Sequence, residues 1–232
     1  MPSINHTTNE NETKTVDRSK GAAAYNDPSW WYDIRGFFIL MSTYQVTLWR
    51  HLAFFSKNLG ERHLEAAIGS GTFMALTLAY SKMIGICQPQ EIIGIDYAER
   101  MLNGAKRLFR KRKNMQLIQA DLSNIDFPEN YFDSVNIAHS FHAFPEPGKV
   151  LKELHRVMKP DAKLYVDVLL HPRGGSFRRW LATKVNNFCY RKGILARTCD
   201  EHETFSQFTE HDFDMVESYI SGNTYHVIAR KR

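Results

Sequence analysis

A strand-like run that carries one acid and ends in closely spaced glycines is the first part of the chain to suggest chemistry. Residues 63–73 read HLEAAIGSGTF, with Glu65 inside the apolar run and Gly69 and Gly71 behind it. Glycines after a strand let a ligand approach the backbone closely, and a following helix offers free N–H groups at its start. This spacing predicts a ligand-binding turn at the carboxyl end of a buried strand.

The glycine spacing also tests one class of ligand. A dinucleotide pyrophosphate is bound by the pattern G-x-G-x-x-G. Counted from Gly69, the last glycine of that pattern would stand at Met74, and counted from Ala67 it would stand at Thr72. Both registers fail, so the sequence disfavours an NAD-dependent reductase.

Two further acids follow strand-like runs downstream. Asp96 ends EIIGID (91–96), and Asp121 ends MQLIQAD (115–121). A carboxylate at the end of a strand can accept hydrogen bonds from donor groups of a ligand. Asp96 is also suited to cap the helix that follows it, and Asp121 to begin a turn.

The elements that must position these residues alternate between strand-like and helix-like patterns. Strands are predicted at 63–69, 91–96, 115–121, 134–139 and 163–170, with helices at 72–83, 98–109 and 148–159. A last pair of strands, 215–221 and 224–230, forms an antiparallel hairpin around Gly222 and Asn223. The pattern predicts an α/β fold, a doubly wound and mostly parallel sheet of seven strands.

The predicted helices have apolar faces that should meet this sheet. These faces are Leu102, Ala105, Leu108 and Phe109 in one helix and Val150, Leu151, Leu154 and Val157 in another, which Pro160 should stop. Before the first strand, apolar residues at helical spacing leave Arg50, His51 and Lys57 off the apolar face. That segment reads as one long helix or a broken pair ended by Gly60.

The chain divides by composition into three parts. Residues 1–20 are polar and predict a disordered tail, 21–60 predict a helical lid, and 61–232 form the main domain. Within that domain, residues 171–211 read as a cap over the substrate.

Four motifs in order resemble the class I S-adenosylmethionine-dependent methyltransferases. Glu65-Ala-Ala-Ile-Gly69-Ser-Gly71 is similar to their first motif, an acid followed by three alternate glycines, with Ala67 in place of the first glycine. The segments GIDYAERML (94–102), QADLSNIDFPENYFDSV (119–135) and the run from FDSVNIAHSFHAFPEP to KLYV continue the resemblance. The subgroup it resembles is the ubiquinone/menaquinone-biosynthesis type.

The resemblance implies a Rossmann-like fold, S-adenosylmethionine as cofactor, and transfer of its methyl group to an O, N or C atom of a small or lipid-like acceptor. It implies a cofactor site built from Glu65, Ala67, Gly69, Gly71, Asp96, Tyr97, Met101, Asp121, Leu122 and His139. Candidates for a catalytic role are His139, His142 and Tyr32, the last within the aromatic segment 24–36. Each has a simpler interpretation as a partly buried or packing residue.

Two other functions remain open on the same fold. One is a protein or RNA methyltransferase, although no NPPY-like tetrapeptide follows the fourth strand, where NIAHSF stands. The other is a regulatory protein that binds the cofactor without catalysis. The replacement of a motif glycine by Ala67 and the lack of an obvious base are consistent with this alternative.

Composition limits the cell compartments and partners that this chain is expected to have. The chain has 232 residues, a net charge of +5 and three cysteines without CxxC spacing, which predicts reduced thiols and neither a disulfide framework nor a metal site. We expect no signal peptide, no membrane span and no specific nucleic-acid partner, and hence a cytoplasmic protein.

One stretch near the predicted cap is strongly basic. Between Asp167 and Asp200 there is no acid, while Trp180, Leu181, Val185 and Phe188 recur at helical spacing among arginines and lysines. The basic face is either ordinary solvated surface or the cationic rim of an apolar acceptor pocket. The second interpretation predicts peripheral contact with an anionic membrane.

Overall fold

The computed structural model describes Gly36, Phe38 and residues 40–232. In this part a π-helical turn, Leu40–Tyr44, precedes the helices α1 (Leu48–Phe55), α2 (Thr72–Met83), α3 (Glu99–Leu108), α4 (Pro147–Val157), α5 (Ser176–Arg191) and α6 (Glu201–Glu210). Short 3-10 turns lie at Ser56–Asn58 and Phe141–Ala143.

The strands form one sheet. They are β1 (Arg62–Ala66), β2 (Glu91–Asp96), β3 (Met115–Gln119), β4 (Phe132–Ile137), β5 (Met158–Leu169), β6 (Phe213–Ser221) and β7 (Thr224–Lys231). Their order is β3-β2-β1-β4-β5-β7-β6, with β1 to β5 parallel and β7 antiparallel to both of its neighbours. The predicted doubly wound, mostly parallel seven-stranded fold is confirmed.

The hairpin between β6 and β7 turns at the predicted dipeptide. Gly222 has a φ of +61°, and a Cβ there would lie 2.5 Å from the carbonyl oxygen of Gln45, so only glycine fits. Asn223 donates its backbone N–H to Tyr44 O at 2.8 Å and its side-chain amide to Thr43 O at 2.7 Å. The hairpin thereby holds the π-helical turn at the edge of the sheet.

One face of the sheet is apolar. The four predicted apolar residues of α4 are all buried, and they pack with strand residues such as Leu64, Val135 and Leu164. At about 25 cal/mol per Å² of buried apolar surface, this layer is the main source of the domain's stability.

The opposite face, beneath α1, is polar, and we call it the polar face. Strand register places His63 beside Ser134, Glu65 beside Asn136 and Asp167 beside His226, and all six side chains are buried. His63 Nδ1 lies 2.8 Å from Ser134 Oγ, and Asn58 donates to Asn136 Oδ1 at 3.0 Å. An acid inside a strand such as Glu65 is therefore part of a layer of polar groups.

Several details differ from the sequence-based expectations. His51 was expected off the apolar face of its helix but is completely buried, because α1 lies on the polar face. Leu108 is 50% exposed although Leu102, Ala105 and Phe109 are buried as predicted. Pro160 lies within β5, because α4 already ends at Val157.

The basic helix α5 also differs. Leu181 and Val185 are half-buried as expected, but Trp180 is 54% exposed and Phe188 is exposed as well. The buried row is Ala182, Asn186 and Cys189, and Cys189 packs with Tyr44 of the π-helical turn.

The structure does not describe the predicted tail or residues 24–35 of the aromatic segment, which include Tyr32. From Leu40 onward, the predicted lid segment is a broken helical pair that rests on the sheet. Within the part of the chain that is described, no helix is both long and apolar enough to cross a membrane.

Candidate functional site

The glycine turn after β1 has an alternating backbone. Ala67, Gly69 and Gly71 have φ values of +61°, +60° and +79°, all in the left-handed region. Ala67 thus adopts the conformation that glycine adopts at the other two positions. For an L-residue with a Cβ this conformation costs about 1–2 kcal/mol.

The two glycines meet different needs. A Cβ on Gly71 would lie 2.6 Å from Phe109 Cε2 and 3.1 Å from Ala105 Cβ, so Gly71 allows α3 to pack against the turn. A Cβ on Gly69 would meet only the terminal carbon of Met101 at 3.6 Å. The open backbone that a ligand could approach is therefore at Gly69.

Asp96 is bonded to this turn. Its Oδ2 accepts the backbone N–H of Gly69 at 2.7 Å, and its Oδ1 accepts that of Ala98 at 2.8 Å. Burial raises the pKa of the Asp96 carboxyl, and the two N–H groups oppose this rise. The acid at the end of β2 is fixed beside the open glycine.

The other predicted cofactor residues lie around Asp96 with different exposures. Met101 is buried against Gly69, Leu122 is buried in the apolar core, and Tyr97 is 55% exposed. Asp121 accepts both the N–H and the hydroxyl of Ser123, at 2.9 and 2.7 Å, which is the turn-forming role considered from the sequence.

Glu65 lies deeper, in the polar face. Its Oε2 is 3.3 Å from His63 Nε2, and burial raises the pKa of its carboxyl while hydrogen bonding to His63 and Asn136 lowers it. The carboxyl group is thus held within the sheet layer.

His139 follows β4 in a strained conformation, with φ of +53°. Its N–H donates to Asp167 Oδ1 at 2.6 Å, and its Nε2 lies 3.2 Å from Asp167 Oδ2. The ring meets Phe73, in the first turn of α2, edge-on with centroids 4.6 Å apart. Phe73 therefore connects His139 to the glycine turn.

His142 lies on the other side of Tyr44. The Tyr44 hydroxyl is 2.7 Å from His142 Nδ1, and the Tyr44 ring is 5.5 Å from that of His139. Burial lowers the pKa of His139 to about 3 and that of His142 to about 4, so both imidazoles are neutral at pH 7. Burial raises the pKa of Asp167 to about 8.

Sequence interpretation missed four residues of this arrangement, Tyr44, His51, Phe73 and Asp167. Asp167 had a usable signal, since it stands between valines in an apolar strand as Glu65 stands between apolar residues in β1. His51, Phe73 and Tyr44 had none, because aromatic and histidine residues at helical spacing usually indicate packing.

Comparison with known proteins identifies the family of this chain. Residues 64–166 match the model of the methyltransferase domain family. The demethylmenaquinone methyltransferase of Staphylococcus saprophyticus is 30% identical over 174 residues, which cover 73% of this chain and 72% of that protein. The chain belongs to the class I S-adenosylmethionine-dependent methyltransferases.

Other relatives match over a shorter span. The demethylmenaquinone methyltransferase of Staphylococcus epidermidis is 31% identical over 123 residues, which is 52% of this chain and about half (49%) of that protein. A crystal structure described as an S-adenosylmethionine-dependent methyltransferase from Aquifex aeolicus superposes with a TM-score of 0.63 at 22% identity. It covers 89% of this chain and 99% of its own, and it supports the fold.

The described residues of this methyltransferase fit its cofactor, S-adenosylmethionine. The cofactor has no phosphate, so the absence of a third glycine at Met74 is no obstacle. The open backbone at Gly69 lies next to a carboxylate, Asp96, suited to a ribose diol. When bound, the cofactor supplies a methyl group on a positively charged sulfur, already activated for displacement.

The left-handed Ala67 of this methyltransferase leads to a testable prediction. Ala67→Gly should stabilise the fold by about 1 kcal/mol, because relief of the strained φ outweighs the extra chain entropy of glycine. The matched variant Ala66→Gly, at a buried strand position, should instead destabilise it by about 1–2 kcal/mol. Urea unfolding of both variants measures this. Equal destabilisation would show that Ala67 is not strained.

Proposed function

We propose that this methyltransferase modifies a small, lipid-like acceptor that binds beside His139 at the carboxyl ends of β4 and β5. The observation that carries the proposal is the aromatic surround of His139, with Phe73 on the side of the glycine turn and Tyr44 on the other. About a fifth (21%) of the His139 side chain is exposed. Aromatic side chains next to the cofactor suit a planar apolar acceptor.

The cofactor site in this proposal is the one that the family resemblance implies. It comprises Glu65, Ala67, Gly69, Gly71, Asp96, Tyr97, Met101, Asp121, Leu122 and His139. Asp96 would bind the ribose hydroxyls, and Asp121 and Leu122 would border the adenine. The hydrogen bond between Asp96 and Gly69 supports the first assignment.

Methyl transfer requires mainly that the protein position the acceptor against the cofactor. Methyl transfer is an in-line displacement, so alignment and exclusion of water supply most of the rate. His139 and His142 would contact the acceptor as neutral imidazoles, which accept a hydrogen bond from an acceptor hydroxyl more readily than a cation would. Tyr32 remains a third candidate for that contact.

Methyl transfer from labelled S-adenosylmethionine tests the acceptor class. We expect label in the lipid fraction of a cell extract, and transfer to purified demethylmenaquinone, the compound in the names of its relatives, reduced before the assay. Label confined to RNA or protein would contradict the proposal. The proposal would also be contradicted if the protein binds the cofactor but transfers label to none of the fractions.

We also propose that the segment 21–60 closes over the cofactor. The described part, from the π-helical turn to α1, packs on the sheet through Leu52, Phe54 and Phe55. Limited proteolysis should cut within residues 21–40 more slowly when S-adenosylmethionine is present. Equal cutting rates with and without cofactor would argue against a lid.

A second surface supports a lipid-like acceptor. At the start of α5, Phe177 and Trp180 are exposed and stacked, with centroids 6.0 Å apart, beside exposed Arg178 and Arg179. This surface adjoins the lid segment, because Gln45 donates its side-chain amide to Arg178 O at 3.3 Å. Aromatic side chains among arginines are typical of proteins that lie on anionic membranes. We propose that this surface rests on the membrane from which the acceptor enters; free thiols suit a cytoplasmic location.

Charge reversal tests the membrane contact. Arg178→Glu with Arg179→Glu should weaken binding to vesicles with anionic lipid by about thirtyfold, or ~2 kcal/mol for two lost cationic contacts. The control pair Lys111→Glu and Lys113→Glu carries the same charge change beyond the far end of α3 and should have little effect. Co-sedimentation at rising salt measures both. Equal loss in the two pairs would indicate only non-specific attraction.

A further inference from the structure

Three side chains of the polar face meet at one point beneath α1. His51 comes from α1, His139 follows β4, and Asp167 comes from β5. One donor atom of each lies within 4.8 Å of the other two. His51 and Asp167 are completely buried, and His139 is partly exposed toward the proposed acceptor space.

Their donor atoms lack hydrogen bonds. Both nitrogens of His51, the Nε2 of His139 and the Oδ2 of Asp167 are buried and have no hydrogen-bond partner among the described residues. An unpaired buried polar group costs about 1–3 kcal/mol, and most such groups in proteins are paired with protein, water or an ion. Three of these atoms, one from each residue, meet at one point and require an explanation.

Two of the three separations are close to those around a tetrahedral metal ion. Asp167 Oδ2 lies 3.5 Å from His51 Nδ1 and 3.2 Å from His139 Nε2. Two bonds of about 2.0–2.1 Å at the tetrahedral angle place their donor atoms about 3.3–3.4 Å apart. A charged hydrogen bond between the same groups would be shorter, about 2.7–2.9 Å.

The residue types of the polar face also suit a cation. The polar face contains two buried acids, Glu65 and Asp167, while the buried polar residues of the described chain include no lysine or arginine. Two imidazoles and a carboxylate are a donor set that zinc and related divalent transition metals prefer.

We propose that His51, His139 and Asp167 bind a divalent transition-metal ion that fastens α1 to the sheet. This differs from the sequence-based expectation of no metal site. Three protein ligands leave a fourth position for water or an oxygen of the acceptor. Only that last possibility rests on the proposed acceptor site; metal binding itself does not.

Metal uptake by the full chain tests the proposal directly. Protein stripped with a chelator should take up one Zn²⁺ per chain, measured by elemental analysis and by competition with a coloured chelator. Co²⁺ in the same site should give the visible absorption of a four-coordinate ion. Neither measurement requires the acceptor or methyl transfer, so failure of the proposed function would leave the result intact.

Variants locate the site. His51→Gln and Asp167→Asn should each weaken Zn²⁺ binding by about a hundredfold or more, since loss of an outer partner alone costs about 10–100-fold. His139→Asn serves if a buried variant fails to fold, because asparagine tolerates the positive φ at this position. His202→Gln, exposed on α6, is the matched control and should bind Zn²⁺ like the unmodified chain.

Two results would overturn the proposal. One is stripped protein that binds the demethylated cofactor but takes up neither metal. The other is Zn²⁺ affinity unchanged in His51→Gln, Asp167→Asn and His139→Asn, which would assign any uptake to surface histidines.

Discussion

Replacing Asp96 by Ala should weaken binding of S-adenosylmethionine and of its demethylated product by about a hundredfold or more. In our assignment the carboxylate accepts two ribose hydroxyls, and each such bond to a charged group contributes about 1.5–3 kcal/mol. The structure adds a second effect, because the same carboxylate accepts the N–H groups of Gly69 and Ala98. We therefore also expect the free energy of unfolding to fall by about 2–3 kcal/mol.

Two further variants separate these effects. Asp96→Asn keeps the volume but only one acceptor oxygen, so one of the two backbone N–H groups loses its acceptor, and the variant should restore part of the stability and part of the cofactor affinity. Glu210→Ala removes an exposed acid of α6 and should change neither. Calorimetric titration at a temperature where every variant is folded gives the affinities. Unchanged affinity in folded Asp96→Ala would remove the ribose assignment.

The number of strands and their mostly parallel direction followed from the sequence because their signals are local. Continuous apolar runs alternate with helical patterns, and parallel strands joined by helices must form a sheet covered on both faces. The turn at Gly222 and Asn223 was equally local, since Gly222 needs a positive φ. Such signals depend on neighbours in the chain, which the sequence gives directly.

The polar face could not be predicted, because its contacts join residues that are far apart in the sequence. His51 follows Arg50 and stands off the apolar face of its helix, so it looks like a surface residue of an amphipathic helix. Its burial follows from packing of α1 over Asp167 and His226, which are far away in sequence. A hydrophobic periodicity identifies a face that avoids water, and it misses a helix whose buried side meets polar side chains.

The candidate site was predictable only where a backbone requirement showed in the residue type. Gly69 and Gly71 indicated the turn by their residue type. Ala67 adopts the same left-handed conformation, which an alanine in the sequence does not indicate. The sequence placed Asp96 at the strand end but gave no sign that both of its oxygens hold backbone N–H groups. His139 was found as a strand-end histidine, and its partner Asp167 was not.

Gly71→Ala should destabilise the fold by about 2–5 kcal/mol, while Gly85→Ala should cost about 1–2 kcal/mol. The two glycines have nearly equal φ values, +79° and +78°, so both variants pay the same backbone strain. They differ in space, because a Cβ at Gly85 meets nothing within 4 Å whereas one at Gly71 would lie 2.6 Å from Phe109 Cε2. Overpacking of that kind adds about 1–3 kcal/mol.

A smaller side chain at Phe109 tests whether its ring is what opposes a Cβ at position 71. If the Phe109 ring is the obstacle, Phe109→Leu should cost less in the Gly71→Ala background than alone, with a coupling energy of about 1 kcal/mol or more in urea unfolding. The same change should add independently to Gly85→Ala, which lies in open space. Additive effects in both backgrounds would mean that α3 moves away from the turn as a unit. Gly71 would then be required only for its φ, and close packing of α3 on the cofactor turn would not be its role.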